Sequence, residues 1–340
     1  MPNRTNLKAL SQDDLVRFVA AHGLPRYRAG QLAHWIYGKF VAGIDEITEF
    51  SKELRAKLSE VSYISSLRLT KRLVSSDGTE KFLFSLEDGE TIESVLIPDK
   101  DRLTLCISSQ VGCAMGCKFC LTGELGLIRN MEAHEIADQV ICAARLVFPR
   151  KINNIVMMGM GEPLANIEAV AEALRRISGL IGITRRRITL STCGLVPKME
   201  ELARAVPGVN LAVSLNASTD AKRDEIMPVN RRYPLKSLLD ACKRFPLGPR
   251  RRITFEYVLL GGMNDSVEDA RRLAELVRGV RCKINLIPFN PHSGSAMKRP
   301  SERSVLAFQR VLEEHHLNAL VRESRGRDIL AACGQLKADY

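Results

Sequence analysis

The 340-residue chain is poor in aromatics, at 5% with a single Trp, and no apolar run approaches the roughly 20 residues of a membrane-spanning helix. A transmembrane helix is thereby excluded. The first residues carry no apolar h-region, so no signal peptide is expected and a cytoplasmic location is. No low-complexity tract or short internal repeat stands out, which sets aside collagen-like and disordered classes. The six His show no metal-ligand spacing. Nine Cys, an odd number in a chain expected in the cytoplasm, argue against a disulfide framework and for metal binding, catalysis or packing.

What is present is a core and an excess of positive charge. Hydrophobic residues make up 45% and charged residues 26%, enough for one large domain with a small one, or two of ordinary size. The net charge of +11 favours a polyanionic partner, because each phosphate contact releases counterions. Part of that excess is clustered, at Arg185-Arg186-Arg187, Arg231-Arg232 and Arg250-Arg251-Arg252. Any one of these runs by itself reads as a solvated turn.

The periodicity changes twice along the chain. Residues 1–62 read as a small helical accessory domain: Ser11 with Asp14 makes a capping-box-like start, helical patterns follow at 29–40 and 52–58, and Trp35 reads as a core anchor. Residues 63–100 shift to a period of two, with turns at Ser76-Asp77-Gly78 and Glu87-Asp88-Gly89, and predict a small antiparallel β extension. From 101 to 340, strand candidates at 103–109, 154–158, 188–192, 211–215, 253–259 and 283–287 alternate with helical patterns. Six β/α units predict a parallel sheet covered by helices, doubly wound or curved into a partial barrel. Ligands gather beyond the C-terminal strand ends in either architecture.

The sharpest motif follows the first of these strands. Cys113, Cys117 and Cys120 have the spacing C-x3-C-x2-C, three soft ligands on one loop. Structural zinc takes four ligands, usually from two knuckles, and no second C-x2-C pair exists. An iron–sulfur cubane on three thiolates leaves one iron open to chelate the amine and carboxylate of a small molecule. Cluster is therefore favoured over zinc. Cys142, Cys193, Cys242 and Cys282 sit in apolar or helical contexts and read as packing thiols.

This spacing resembles the radical S-adenosylmethionine (SAM) superfamily. With CISSQVGCAMGCKFCLTGELGL (106–127), GMGEP (159–163), LSTCGLVP (190–197), RDEIMPVNRRYP (223–234), NLIPFNP (285–291) and AACGQL (331–336) in order, the chain resembles the RlmN/Cfr family of RNA adenine methyltransferases over its whole length. The resemblance implies a radical SAM partial (β/α)6 barrel, an α/β fold, with a small N-terminal helical domain that binds RNA and a short antiparallel β extension. It implies a [4Fe-4S] cluster on Cys113, Cys117 and Cys120, and SAM contacts from Gly161, Glu162, Ser191, Ser214, Leu215, Asn216 and Asn290. Cys333 would carry the methyl group and then bond to the RNA base, and Cys106 would resolve that adduct through a transient disulfide. Glu93 matches the position of a proton acceptor. Taken alone, the Glu-Pro of GMGEP reads as a turn, Ser191 and Asn290 as helix caps, and Glu93 as a solvated strand residue.

The implied chemistry explains why two further cysteines are needed. Carbon C2 of adenine is electron-poor and has no lone pair to attack a sulfonium methyl, so a thiolate must first take the methyl by displacement. Two SAM are used per turnover, with an external electron donor of flavodoxin or ferredoxin type. The expected partners are 23S ribosomal RNA, transfer RNA as a second substrate, and a reducing protein; a membrane is not among them. The chain is expected to be a monomer, and deletion of residues 1–60 to weaken RNA binding while sparing SAM cleavage. Methylation at C8 of the same adenine is the nearest alternative, and a zinc-bearing RNA-binding module the alternative from another class. Asn216, where many members have His, and Leu121, where Ser or Ala is usual, depart from the family pattern.

Overall fold

Residues 4–292 and 295–336 are described in the computed structural model. One ten-stranded sheet organises them, and its strands lie side by side in the order of the chain. They are β1 (Arg68–Val74), β2 (Glu80–Ser85), β3 (Thr91–Asp99), β4 (Arg102–Cys106), β5 (Asn154–Met157), β6 (Ile188–Thr192), β7 (Asn210–Ser214), β8 (Ile253–Leu259), β9 (Cys282–Pro288) and β10 (Ala319–Val321). β1 to β4 form an antiparallel meander, and β4 to β10 are parallel throughout.

The β extension is thus continuous with the parallel sheet, joined by β3–β4 pairing from Val95↔Cys106 to Asp99↔Arg102. Its two hairpins turn at Gly78 (φ 80°) and Gly89 (φ 91°), where a side chain would be strained. Beyond the six expected parallel strands the sheet carries a seventh, β10, whose three residues are too short to leave a periodic signal. The hairpin of Gln110–Gly112 with Leu127–Asn130 and the helix Asp220–Ile226 were unforeseen for the same reason.

Parallel strands are buried on both faces, and here helices cover the outer one. Leu235, Leu238, Leu239 and Cys242 bury one stripe of the helix Leu235–Arg244 at helical spacing. Ser266 and Ser301 cap the last two covering helices by accepting backbone N–H groups from Asp269 and Ser304. Residues of β3 through β9 line a single cavity, so the sheet curls around a lumen.

At the N-terminus, Ser11 and Asp14 form the expected capping box at the start of Gln12–Ala21. Tyr27–Ala33 runs into a π turn, His34–Gly38, and Lys52–Val61 follows. Trp35 is a correction: it is half-buried, its indole N–H donates to Glu49 at 2.8 Å, and Leu32, Ile36 and Tyr37 fill the core instead. These helices are sewn to the rest of the chain. Lys8 forms a buried ion pair with Asp138, whose other oxygen accepts the Leu67 N–H at 2.8 Å. The Arg176 guanidinium donates to the Lys8 carbonyl at 2.6 Å and to the Tyr37 hydroxyl at 3.0 Å. No helix among the described residues is long and apolar enough to cross a membrane.

Candidate active site

The loop after β4 carries the three spaced cysteines, and glycine shapes it. A side chain at Gly112 (φ 75°) would place its Cβ 2.0 Å from the Gly126 carbonyl oxygen, to which Cys113 N–H donates at 2.7 Å. Cys120 N–H donates to Cys117 O at 3.1 Å and Gly123 N–H to Cys120 O at 3.0 Å, so the segment coils on itself. Cys113, Cys117 and Cys120 wall one cavity of about 160 Å³ with Met115 and Phe119. Burial pushes all three thiols up, Cys113 to about 11.

Among the described residues, no three His, Cys, Asp or Glu converge closely enough for a single metal ion. A cubane spreads its iron over a volume and takes a thiolate at each separate corner. Three thiols spaced along one coiled loop beside an apolar wall fit such a cluster.

Facing that loop are the strand ends. Glu162, after β5, is buried and held at both oxygens: Oε1 accepts Leu164 N–H at 3.0 Å and Oε2 accepts Cys193 N–H at 2.7 Å. Burial pushes its carboxyl up, against the hydrogen bonds from Cys193 and Thr192 that pull it down. Each oxygen keeps a lone pair for a ligand amine. Gly161 (φ 99°) is required, since a Cβ there would lie 2.6 Å from Gln110 Cβ. Ser191, Ser214, Asn216 and Asn290 line the same cavity, Asn290 anchored by Arg299 at 3.3 Å.

Leu215 is the exception among the expected contacts: its side chain is fully buried in the main core, away from the cavity. Only its backbone belongs to the site frame, donating to Glu256 O at 3.0 Å. Asn216 is at φ 57°, a left-handed conformation that Asn tolerates better than most residues. Its Oδ1 accepts Val258 N–H at 2.9 Å and its Nδ2 lies 3.2 Å from Met227 Sδ.

Cys333 comes from the far end of the chain. Leu121 N–H donates to Gly334 O at 2.8 Å and Thr122 Oγ1 to Leu336 O at 2.6 Å, so the cysteine loop itself grips the C-terminal segment. Leu121 makes its contact through the backbone, and its departure from the family pattern leaves that grip intact. Cys333 lines the cavity beside Arg322. Cys106, at the end of β4, lies buried behind the wall, and its thiol is pushed up to about 12 by burial and by the charge of Cys333, with Arg322 pulling the other way. Glu93 lies elsewhere, fully buried on β3 with Lys81 Nζ 2.8 Å from Oε1; that ammonium also donates to Leu330 O at 3.1 Å.

Arg223 and Glu256 are parts that sequence reading passed over. Fully buried Arg223 donates to three carbonyls, Leu215 at 2.9 Å, Cys193 at 2.8 Å and Ser214 at 3.0 Å, tying two strand-end loops together. Its place in RDEIMPVNRRYP was the available signal. Glu256 is a charged residue inside the otherwise β-forming run ITFEYVL.

The radical SAM superfamily matches residues 107–274, and the ribosomal RNA large subunit methyltransferase N-terminal domain matches residues 5–64. A dual-specificity RNA methyltransferase RlmN from Pelobacter propionicus is 52% identical over 99% of this chain and 97% of its own length. The protein of that description from Geobacter sulfurreducens is 53% identical over 99% of this chain and 93% of its own. A radical SAM methyltransferase structure from Sphaerobacter thermophilus superposes with a TM-score of 0.93 at 46% identity, over 98% of this chain and 100% of that one.

Proposed function

The chain belongs to the RlmN family of radical SAM RNA methyltransferases, and on that premise we propose that it methylates C2 of adenine 2503 in 23S ribosomal RNA and of adenine 37 in transfer RNA. It is a SAM-dependent RNA methyltransferase, and its superfamily implies a [4Fe-4S] cluster and SAM. The observation that carries the finer reading is the arrival of Cys333 on the cavity walled by Cys113, Cys117 and Cys120.

Cys113, Cys117 and Cys120 would hold a [4Fe-4S] cluster, which when bound would supply a site for SAM and the electron for its cleavage. The chain's own residues do the rest. Glu162 holds the SAM amine, with Ser191, Ser214, Asn216 and Asn290 around the rest of the molecule. Cys333, beside Arg322, takes the methyl from a sulfonium by attack at carbon, and the thioether leaves. One hydrogen atom of that methyl would pass to the deoxyadenosyl group of the second SAM, and its carbon would bond to adenine C2 as the C2 proton leaves to water and one electron is returned, so that the Cys333 sulfur links protein to base. Cys106 attacks the Cys333 sulfur, which frees the methylated base and leaves a Cys106–Cys333 disulfide for the reducing partner. Glu93 lines neither cavity and is joined through Lys81 to the carbonyl three residues before Cys333, which places it to steady that segment.

The environment of Cys106 supports this order of events. Burial and the Cys333 charge keep its thiol protonated in the resting chain. Once the Cys333 sulfur carries carbon it has no charge, and burial alone is left opposing Arg322 at the Cys106 thiol.

The test is nucleoside mass spectrometry on ribosomal and transfer RNA from a methylation-deficient host expressing the native chain or Cys333→Ala. 2-Methyladenosine with the native chain and none with the variant is the expected result. 8-Methyladenosine would move the chain to the C8 branch, and no methyladenosine from folded, cluster-loaded protein would overturn the reading.

A further inference from the structure

The lumen does not end at the candidate active site. A second cavity of about 610 Å³ continues from it toward the N-terminal ends of the strands, and the two share Met158, Glu256, Ile287, Asn290, Arg322 and Cys333. Barrel interiors of β/α proteins are usually filled by layers of branched apolar side chains. This one presents Thr104, Asn154, Thr189, Thr254 and Asn285 inward. Its outer rim is basic, with Arg102, Arg186, Arg187, Lys283 and Arg325. Glu162 and the cysteine loop lie on the other cavity, so the two mouths differ in chemistry. Cations at the rim hold an RNA backbone there, and an extruded nucleotide would reach Cys333 through the polar lumen.

At the junction, alternation along β8 sorts the side chains. Ile253, Phe255, Tyr257 and Leu259 are fully buried in the core under the helices, while Thr254, Glu256 and Val258 face the lumen. Glu256 is 5% exposed. Its Oε1 accepts from Asn285 Nδ2 at 3.0 Å, whereas its Oε2, also buried, has no hydrogen-bonding partner among the described residues. A buried carboxylate oxygen left unmatched is destabilising, so a position that keeps one is a position awaiting a donor.

We propose that Glu256 reads the target base, its free Oε2 accepting a hydrogen bond from the 6-amino group of the extruded adenine while Cys333 faces the ring carbon. The inference rests on the RNA adenine methyltransferase reading and adds to it the residue that selects the base. Adenine offers an N–H donor at position 6 where guanine offers a carbonyl acceptor, so an acceptor fixed by Asn285 on a buried strand discriminates between them. Burial pushes the Glu256 carboxyl up, with Arg322 and Asn285 opposing, so a neighbouring donor is worth more to it than it would be in water.

The test compares two RNA fragments of the same sequence, one with adenosine and one with purine riboside (the 6-amino group removed) at the target position. RNA affinity and kcat/KM are measured on cluster-loaded protein, native and Glu256→Leu, with SAM affinity alongside. The native chain should prefer adenosine by about 5- to 150-fold. Glu256→Leu should bring that ratio to within about twofold of unity. Glu256→Gln keeps the shape should the leucine variant fold poorly: its amide oxygen stays with Asn285 and turns an N–H toward the amine, so the preference should again vanish. Either variant retaining the native ratio overturns the proposal. So does a loss of SAM affinity with the ratio unchanged, which would assign Glu256 to SAM. A native chain that binds both RNAs with the expected ratio but forms no methyladenosine would instead sink the activity reading and leave Glu256 as a base reader.

Discussion

Cys106 and Cys333 have the same side chain in opposed environments, and the difference is measurable. Cys333 is exposed, whereas the Cys106 thiol is buried and raised to about 12. At pH 8, iodoacetamide on anaerobic, cluster-loaded protein should modify Cys333 well ahead of Cys106, as peptide mass spectrometry would show. Equal labelling would contradict the burial argument. The proposed resolving role of Cys106 has a distinct signature: under it, Cys106→Ala should retain a protein–RNA adduct, seen as a nuclease-resistant mass increment on Cys333, while Cys333→Ala shows none. Glu162 is a third residue whose role follows from its surroundings. Glu162→Gln would put an N–H where Leu164 and Cys193 donate, so SAM affinity should fall at least about tenfold with little change in secondary structure.

At the scale of elements, the segment that delivers Cys333 is held by an unexpected neighbour, the β1–β2 hairpin. Asp77 accepts Gly326 N–H at 3.0 Å, and Asp328 accepts Ser75 Oγ at 2.5 Å and Ser76 N–H at 3.1 Å. Leu330, in this strap, is at φ 51°, a conformation that costs a leucine about 1 kcal/mol or more. The hairpin and the cysteine loop fix the strap from opposite sides. Burial would raise the Asp77 carboxyl, but hydrogen bonds from Thr79 and Gly326 outweigh it and hold the pKa at about 2. A depressed carboxylate stabilises above its unfolded pKa, near 3.8, and loses that contribution as pH falls through the folded value. The Gly326 amide resonance should therefore hold its native shift down to about pH 3 and move as the pH approaches 2. Movement already at pH 5 would show that the tie is not made.

For the molecule as a whole, the N-terminal helices and the barrel share one fate. Lys8 and Asp138 are 1% and 2% exposed, and one apolar cluster runs from Leu7 to Leu336. Breaking a buried pair leaves an uncompensated charge, so Lys8→Met should lower unfolding free energy by roughly 3–5 kcal/mol in urea denaturation. A loss below 1 kcal/mol would mean that the pair is not buried in solution. Deleting residues 1–60, expected to weaken RNA binding while sparing SAM cleavage, would also strand Asp138 and expose the strand partner of Thr5–Asn6. Charge reversal on the exposed Arg186 and Arg187 is a cleaner probe of RNA binding. It should weaken affinity and flatten its dependence on salt, since fewer counterions are released.

The sequence by itself determined what local chemistry determines. Strands β6 and β8 lie at the residues foreseen, and helices alternate with the parallel strands as expected, because apolar periodicity and serine or glycine punctuation are short-range signals. The C-x3-C-x2-C loop was legible because three thiols within eight residues need no tertiary information to be neighbours. Resemblance across ordered motifs supplied the identities of Cys333 and Glu162, which no spacing could. Tertiary structure alone decided the rest. It brought Cys333 to the cysteine loop through backbone hydrogen bonds from Leu121, turned Leu215 away by strand alternation, and made the β extension part of the barrel sheet. It also left Glu256 with an unmatched oxygen in a polar lumen, which one charged letter inside a strand could not disclose. Contacts between residues far apart in sequence depend on how elements pack, and packing is a property of the folded chain.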